Sequence, residues 1–292
     1  MNKNFSASPL AEVRKNLSRA LKQFLESERR VQIVHSTSQQ SRITSPTKSL
    51  YVLDSSFNPP SLAHFQLAKT ALTEDDGAYP RRLLLLLATT NADKASKLDT
   101  FEDRMVMMHQ FAEQLRRETA EDSKAEQNSE QSAEVDVGLT KEPYFINKAM
   151  AIDDAKIYPD EPQQIHLTGF DTFTRIFDAK YYAPDHTLNC LEPFLRKHRL
   201  RVTYRPDDEW GDRATQEQYI RDIAEGKREA EGGKREWANH IRMVEGKAKG
   251  EEPISSTRAR KAAKQEDWDG LKTLVPSSVF TVIHTEHLYA NQ

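Results

Sequence analysis

The sequence predicts an α/β protein with a doubly wound parallel sheet, and three features carry that prediction. A β-prone apolar run ends at Leu53, and an Asn-Pro-Pro turn leads from it into an amphipathic helical pattern that begins near Leu62. The run 83–88 consists of leucines and an alanine, which is typical of a parallel strand buried on both faces. A strand, a helix and a second strand in this order imply a right-handed crossover within one sheet.

Length and composition suit one large domain with polar insertions, or two small domains. The chain has 292 residues, of which 37% are apolar and 30% are charged, so a sizeable core is possible. Its formal net charge is -3, from 42 basic and 45 acidic residues. This balance argues against nucleic acid or an anionic membrane as the main partner, whereas small anions can still bind locally.

Cysteine usage and the lack of long apolar runs indicate the compartment. A single cysteine, Cys190, excludes an internal disulfide framework and a cysteine-rich zinc site, and it fits a reducing environment. The run 83–88 is too short to span a bilayer, and residues 1–6 lack the apolar core of a signal peptide. We therefore expect a protein that is cytoplasmic, nuclear or both.

Residues 1–48 are predicted to form an N-terminal helical extension that packs against the main domain, which spans 49–292. Apolar residues from Pro9 to Arg29 fall on one helical stripe, and 31–34 has the pattern of a short strand. The stretch 35–48 is rich in Ser, Thr and Gln, which is typical of a loop.

Two charged segments are predicted to be insertions. The segment 116–131 has few large apolar residues, and we interpret it as mobile. The segment 206–249 is interpreted as a helical insertion that could cover the site, with a possible strand at 241–244. Its residues Trp210 and Trp237 could stack on a base, although such residues more often build a small core of their own.

The remaining elements alternate as a doubly wound sheet requires. The pattern predicts strands at 135–137, 164–168 and 200–205 and helices at 101–112, 143–157 and 276–289.

In the last helix, His284 and His287 stand three apart. They have no placed carboxylate partner, so we interpret them as surface histidines rather than metal ligands.

The loop between the first buried strand and its helix has the chemistry of an anion site. Pro59 and Pro60 stop the strand, and Ser61 is placed to cap the helix. The amides of the first turn would then face open space at the positive end of the helix dipole. His64, at about the third helical position, would lean back over the same opening. Phosphate is the natural occupant, although the stretch alone equally fits an ordinary turn with a solvent-facing histidine.

A second helix start with similar chemistry lies near the far end of the sequence. Residues 254–260 read Ile-Ser-Ser-Thr-Arg-Ala-Arg. They combine a possible strand end, hydroxyl groups suited to N-capping and arginines in the first helical turns. Two helix starts of the phosphate-binding type therefore bracket the chain.

These stretches resemble the nucleotidylyltransferases with a (His/Thr)-x-x-His signature, and among them the nicotinamide mononucleotide adenylyltransferases. Residues 55–64 match Gly-Ser-Phe-Asn-Pro-x-(Thr/His)-x-x-His, and 254–260 match Ile-Ser-Ser-Thr-x-x-Arg in full. The first match departs twice, because Ser55 replaces the glycine and Ser61 replaces Thr or His. Ser55 places a side chain where the backbone would approach a ligand, whereas Ser61 keeps a hydroxyl for capping and phosphate contact. Residues 53–60 resemble a fungal branch of the family.

Islands of resemblance continue along the chain from residue 49. The triplet 169–171 reads Gly-Phe-Asp and matches the family's Gly-x-Asp, in which the glycine allows a close approach and the aspartate contacts the ribose region. Asp171 also suits the N-cap of the following helix. Arg104 matches the arginine of a His-Arg-x-x-Met helix.

The resemblance implies a Rossmann-like nucleotidylyltransferase fold with helical and disordered insertions, and it implies direct adenylyl transfer. The 5′-phosphate of nicotinamide mononucleotide would attack the α-phosphorus of ATP in line, and pyrophosphate would leave. His64 would donate to the phosphate that gains charge, and Arg260 would hold the β,γ-phosphates. The implied nucleotide-binding residues are Ser55, Ser56, Phe57, Asn58, Ser61, Lys97, Gly169, Asp171, Ser255, Ser256 and Thr257.

Lys94 and Lys97 are weaker candidates, because two solvated loop lysines would give the same pattern. Mg²⁺ would bridge phosphate oxygens with few protein ligands, so we predict no metal site on protein side chains for this reaction.

Other motif-borne chemistries have little support. No Gly-x-x-x-x-Gly-Lys-Ser/Thr loop, Gly-x-Gly-x-x-Gly turn or Gly-x-Ser-x-Gly elbow occurs. Three interpretations stay open: a nicotinamide mononucleotide adenylyltransferase, a nucleotidyltransferase of the same fold with another phosphorylated acceptor or CTP, and a nucleotide-binding interaction protein that transfers slowly or only hydrolyses ATP. A homo-oligomer is possible in each case.

Overall fold

The computed structural model describes residues 9–38, 43–74, 77–90, 99–125, 133–205, 210–246 and 254–290. The strands are β1 (Val31–Ser36), β2 (Ser49–Asp54), β3 (Arg81–Ala88), β4 (Glu134–Thr140), β5 (Gln163–Gly169), β6 (Arg199–Thr203) and β7 (Ile241–Val244). The helices are α1 (Pro9–Glu26), α2 (Leu62–Glu74), α3 (Asp99–Ala125), α4 (Phe145–Asp154), α5 (Phe170–Ile176), α6 (Glu192–Lys197), α7 (Arg213–Ala224), α8 (Ser256–Lys264), α9 (Trp268–Lys272) and α10 (Ser277–Thr285).

The seven strands form one sheet in the order β1-β4-β3-β2-β5-β6-β7. All neighbours from β4 to β7 are parallel, which confirms the predicted doubly wound sheet. β1 differs, because it pairs antiparallel with β4 at the edge. The strand order reverses between β2 and β5, and the crevice at such a switch point is where open α/β sheets bind ligands.

Both faces of the sheet are covered, as the leucine-rich strand predicts. In β3, Leu83 and Leu85 pack into the cluster beneath α1, α2 and α3, whereas Leu84 and Leu86 pack into the cluster on the opposite face. The N-terminal extension belongs to this core, since α1 buries its apolar stripe in the first cluster and β1 adds to the sheet.

The segments predicted as insertions contain ordered structure. α3 continues to Ala125, so residues 116–125 are helical, and Thr119 in this part is buried. Burial of side chains such as Thr119 favours the helix despite the polar composition. Residues 126–132 lie outside the described part of the chain.

The second of these segments adds α7 and the predicted strand β7 to the molecule. Trp237 is 1% exposed, and its indole N–H donates to Glu192 at 2.9 Å, so its ring has no open face for a base. Trp210 packs against the same cluster. The tryptophans therefore build a local core, and the base-stacking interpretation does not hold for Trp237.

No helix within the described ranges combines the length and the apolar character needed to cross a membrane.

Candidate active site

The loop 55–61 follows β2 at the switch point of the sheet and is anchored from below by Phe57. That side chain is fully buried, although its φ of 45° lies in the left-handed region, which non-glycine residues seldom adopt. Its ring lies 5.2 Å from the ring of His64. Ser56 is exposed at the tip. The loop thus exposes backbone and small hydroxyl groups, while the buried ring of Phe57 fixes its position.

His64 is the third residue of α2, and it leans back over the loop as predicted. Its Nδ1 accepts a hydrogen bond from the backbone N–H of Ser61 at 3.0 Å. This is the geometry of a capping box, with histidine in the place that Glu or Gln usually takes. Because a backbone N–H can only donate, Nδ1 carries no proton, and the proton of the neutral ring is on Nε2. Nε2 lies 2.9 Å from Oγ of Ser55.

Burial of the ring, reinforced by the positive charge of Arg205, lowers the pKa of His64 from 6.5 to about 4. The imidazole is therefore neutral at pH 7 and still offers one N–H donor. The Nε2–H points into the opening above the loop, where the hydroxyl oxygen of Ser55 accepts its hydrogen bond.

Ser61 has a different role from the predicted one. It is only 1% exposed, and its hydroxyl lies 3.0 Å from Nδ1 of His64. It orients the ring in this geometry instead of facing the opening. The neighbouring amide of Leu62, expected to face open space, donates to the carbonyl of Leu274 at 2.9 Å.

The second motif forms the start of α8, as predicted. Ser255 is the N-cap, and its hydroxyl accepts from the amide of Arg258 at 3.2 Å. Thr257 is exposed in the first turn, and its hydroxyl accepts from Nη2 of Arg260 at 3.1 Å. The hydroxyls of this motif therefore cap the helix and steady the arginine.

The two motifs meet directly in the folded chain. The Ser256 hydroxyl donates to the carbonyl of Pro59 at 2.7 Å, and Nη1 of Arg260 donates to the carbonyl of Asn58 at 2.5 Å. The hydroxyl of Tyr289 donates to Oδ1 of the same asparagine at 2.8 Å. The loop after β2 and the start of α8 therefore form one site.

The third island of the resemblance borders this site from β5. Gly169 ends the strand and occupies the N-cap position of α5, so Asp171 lies in the first turn and is not the cap. The Asp171 carboxylate accepts from Nε and Nη2 of Arg205 at 2.8 and 2.6 Å. A Cβ at position 169 would lie 2.6 Å from Oδ1 of Asp171, so a larger residue would force this ion pair to shift.

Three further cations lie near the loop, namely Arg104, Lys148 and Arg205, and only Arg104 was matched to a motif in the sequence. Arg205 follows β6 at its carboxyl end, and its location after a strand is the one signal that the sequence offered. Lys148 on α4 is buried and pairs with Asp54, the last residue of β2, at 2.6 Å. Burial lowers the pKa of Arg104, and the charge of Arg260 lowers it further against the opposing effect of Tyr289. Two of these cations are neutralised locally, because Lys148 pairs with Asp54 and Arg205 pairs with Asp171.

Lys94 and Lys97 lie outside the described residues. The remaining predicted site residues lie on the loop, at the start of α2, in the first two turns of α8 or at the β5–α5 junction.

A curated relative resembles this chain over most of its length. No family model matches the chain. The chain is 31% identical over 251 residues to a Schizosaccharomyces pombe protein named "Putative nicotinamide mononucleotide adenylyltransferase", and the match covers 86% of this chain and 90% of the yeast protein.

A solved structure supports the fold. The Plasmodium falciparum nicotinic acid mononucleotide adenylyltransferase complexed with NaAD superimposes with a TM-score of 0.50 at 13% identity, over 84% of this chain and 98% of that one. Sheet order, the two joined motifs and the extended match to the yeast protein lead to one conclusion: the chain belongs to the nicotinamide mononucleotide adenylyltransferase family.

Proposed function

We propose that the protein transfers the adenylyl group of ATP to nicotinamide mononucleotide, which gives NAD and pyrophosphate. One observation carries the proposal: the Nε2–H of His64 and the guanidinium of Arg260 converge on the loop 55–58, in a chain that shares its family with a named adenylyltransferase. Arg260 and the loop residue Asn58, which it contacts, are 202 positions apart in sequence, so folding has assembled this pair of phosphate-type groups.

The reaction needs positioning and charge neutralisation more than a nucleophile on the protein. The 5′-phosphate of the acceptor attacks the α-phosphorus of ATP, a new P–O bond forms, and the bond to the β-phosphate oxygen breaks as pyrophosphate leaves. The Nε2–H of His64 would exchange Ser55 for an oxygen of the phosphate that gains charge. Arg260 and the exposed Thr257 would hold the leaving phosphates.

The residues beside the loop fit a magnesium ion that is held mainly through the substrate. Asp54 and Asp171 are already paired with Lys148 and Arg205, respectively. Phosphate oxygens and water are therefore the ligands that Mg²⁺ would find. When bound, the ion would neutralise charge on the phosphates. The protein's own part is to orient the triphosphate between His64 and Arg260.

The test is incubation of the purified chain with ATP, Mg²⁺ and nicotinamide mononucleotide while NAD and pyrophosphate are both followed. His64→Ala should lower kcat by about 100-fold or more, with a modest change in the KM for ATP, because the lost donor acts on developing charge. The matched control is His284→Ala, which removes an exposed histidine from α10 and should leave kcat unchanged.

Parallel reactions with nicotinic acid mononucleotide, and without any acceptor, separate the alternatives. Pyrophosphate release with another acceptor, but no NAD, would replace the proposed acceptor while keeping adenylyl transfer. Binding of ATP without pyrophosphate release under any condition would contradict the proposal and favour an interaction protein.

We also propose, in line with the composition, that the enzyme works in the cytoplasm or the nucleus, which imaging of the tagged chain would test.

A further inference from the structure

His35, His109 and Glu113 form a cluster that the proposed reaction does not use. His35 lies on the edge strand β1, and the other two residues lie on α3. Nε2 of His35 is 2.9 Å from Oε1 of Glu113, and the centroids of the two imidazole rings are 4.0 Å apart. One potential ligand atom from each residue falls within 4.8 Å of the others, and within the described ranges no other His, Cys, Asp or Glu trio does so.

A bulge in β1 directs His35 toward α3. Ile33 pairs with Gly138 and His35 pairs with Val137, so Val34 is an extra residue in the strand. Side chains alternate between the faces of a sheet, so in a strand without a bulge His35 would share the face of Ile33. Ile33 packs in the cluster on the face opposite α3, whereas Val34 packs on the α3 side. The bulge therefore re-aims the imidazole, a recognised use of such irregularities.

The helix supplies its two side chains from one face. His109 and Glu113 are four residues apart, which places them one above the other on α3. Glu113 is 45% exposed, so its carboxylate is free to adjust, whereas His109 is half-buried against the strand. One mobile and two better-fixed groups thus converge at the surface.

We propose that His35, His109 and Glu113 bind a zinc ion that clamps the edge strand β1 to α3. Two imidazole nitrogens and a carboxylate oxygen form an established ligand set for zinc, with water in the fourth position. Bonds of about 2.0–2.1 Å place tetrahedral ligand atoms about 3.3 Å apart. The His35–Glu113 pair is already near that spacing, and no two ligand atoms are more than 4.8 Å apart, so the cluster needs to close by at most about 1.5 Å.

The proposed site is separate from the candidate active site. Three strand spacings lie between β1 and β2, about 14 Å in total at about 4.8 Å each. The nearby cation Arg116 pairs with Glu134 at 3.5 Å. Glu134 therefore offsets part of the charge that would oppose a bound cation.

The experiment is titration of Zn²⁺ into the full chain, freed of metal with a chelator, by calorimetry and by competition with a chromophoric chelator. We expect one equivalent per chain and a higher unfolding temperature at saturation, because the ion binds the folded form. X-ray absorption at the zinc edge should report nitrogen and oxygen ligands with imidazole scattering and no sulfur. His109→Ala and Glu113→Gln should each weaken binding by about 10-fold or more.

Two histidine variants outside the cluster make the assignment specific. His284→Ala and His64→Ala should bind zinc as tightly as the unmodified chain. Loss of binding in either would move the ion to another site and overturn the proposal, as would the lack of stoichiometric binding. Glu113→Gln alters an exposed side chain, so it remains informative if His109→Ala fails to fold. The proposal would also be overturned if Glu113→Gln bound zinc as tightly as the unmodified chain and the absorption spectrum showed sulfur ligands or no imidazole.

Discussion

Nε2 of His64 donates a hydrogen bond to the hydroxyl of Ser55 over 2.9 Å, and this hydroxyl replaces a glycine hydrogen in the family pattern. The donor that we propose for adenylyl transfer thus already has a partner within the protein. A nucleotide must exchange that contact for one to its own phosphate.

Ser55→Ala should therefore tighten ATP binding. A hydrogen bond of this kind is worth about 1 kcal/mol net, so its removal from the free enzyme should lower the Kd for ATP about fivefold. Equilibrium titration with ATP measures the change. The control Thr73→Ala removes an exposed hydroxyl from α2, the helix that carries His64, and should leave the Kd for ATP unchanged. A Kd that rises in Ser55→Ala would mean that the hydroxyl itself contacts the nucleotide.

His64 should titrate near pH 4 in the free enzyme, with its proton on Nε2 at neutral pH. Burial and Arg205 depress its pKa from 6.5, so the unfolded chain binds more protons than the folded one between about pH 6.5 and 4. Stability should consequently fall as the pH falls through that window. Long-range ¹H–¹⁵N spectra give the tautomer and the pKa.

Urea unfolding across the same pH range tests the stability effect. His64→Gln should show a shallower loss of stability than the unmodified chain, because the amide does not titrate. An Nδ1–H tautomer at pH 7 would contradict the hydrogen-bond assignment. ATP, with its negative phosphates, should raise the pKa of His64.

Gly169→Ala should impair the site without unfolding the protein. The added Cβ would lie 2.6 Å from Oδ1 of Asp171 and 3.2 Å from Nε of Arg205, so the ion pair must shift. Because φ at this position is -82°, the backbone itself accepts alanine. We expect about a tenfold lower kcat/KM for ATP, since misplacement of positioning groups is costly. Activity equal to the unmodified enzyme would exclude a role for the pair.

Asp136→Ala should be severely destabilising. Asp136 is fully buried, accepts from Nε and Nη2 of Arg82 at 2.5 and 2.9 Å, and accepts from the Tyr158 hydroxyl at 3.0 Å. Removing it leaves a buried guanidinium uncompensated, at a cost of about 3–5 kcal/mol in the free energy of unfolding. Urea denaturation measures this. The double variant Arg82→Met with Asp136→Leu should recover most of the loss, and if it does not, packing rather than charge explains the effect.

Local patterns predicted most of the sheet. The leucines of β3 and the strand–turn–helix around residues 53–62 identified the central layer, because burial on both faces leaves a clear mark on composition. The direction of β1 left no such mark, since pairing with β4 depends on contacts made elsewhere in the fold. Composition also misjudged residues 116–125, where polar side chains lie on a helix that packs along one side.

At the site, motif matching found the groups but not their contacts. It identified His64 and Arg260, yet the roles of Ser61 and Arg205 depend on distances that no spacing rule encodes. The cluster of His35, His109 and Glu113 went unnoticed for the same reason, because 78 positions separate His35 from Glu113 and a bulge determines which way the imidazole points.

The contact between Tyr289 and Asn58 joins residues that are 231 positions apart, and Arg260 meets the same loop from nearly as far along the chain. On the ribosome, the loop therefore emerges long before the segments that hold it. We therefore expect a nascent chain to gain the ability to bind ATP only late in synthesis, when the residues around 254–289 have left the exit tunnel.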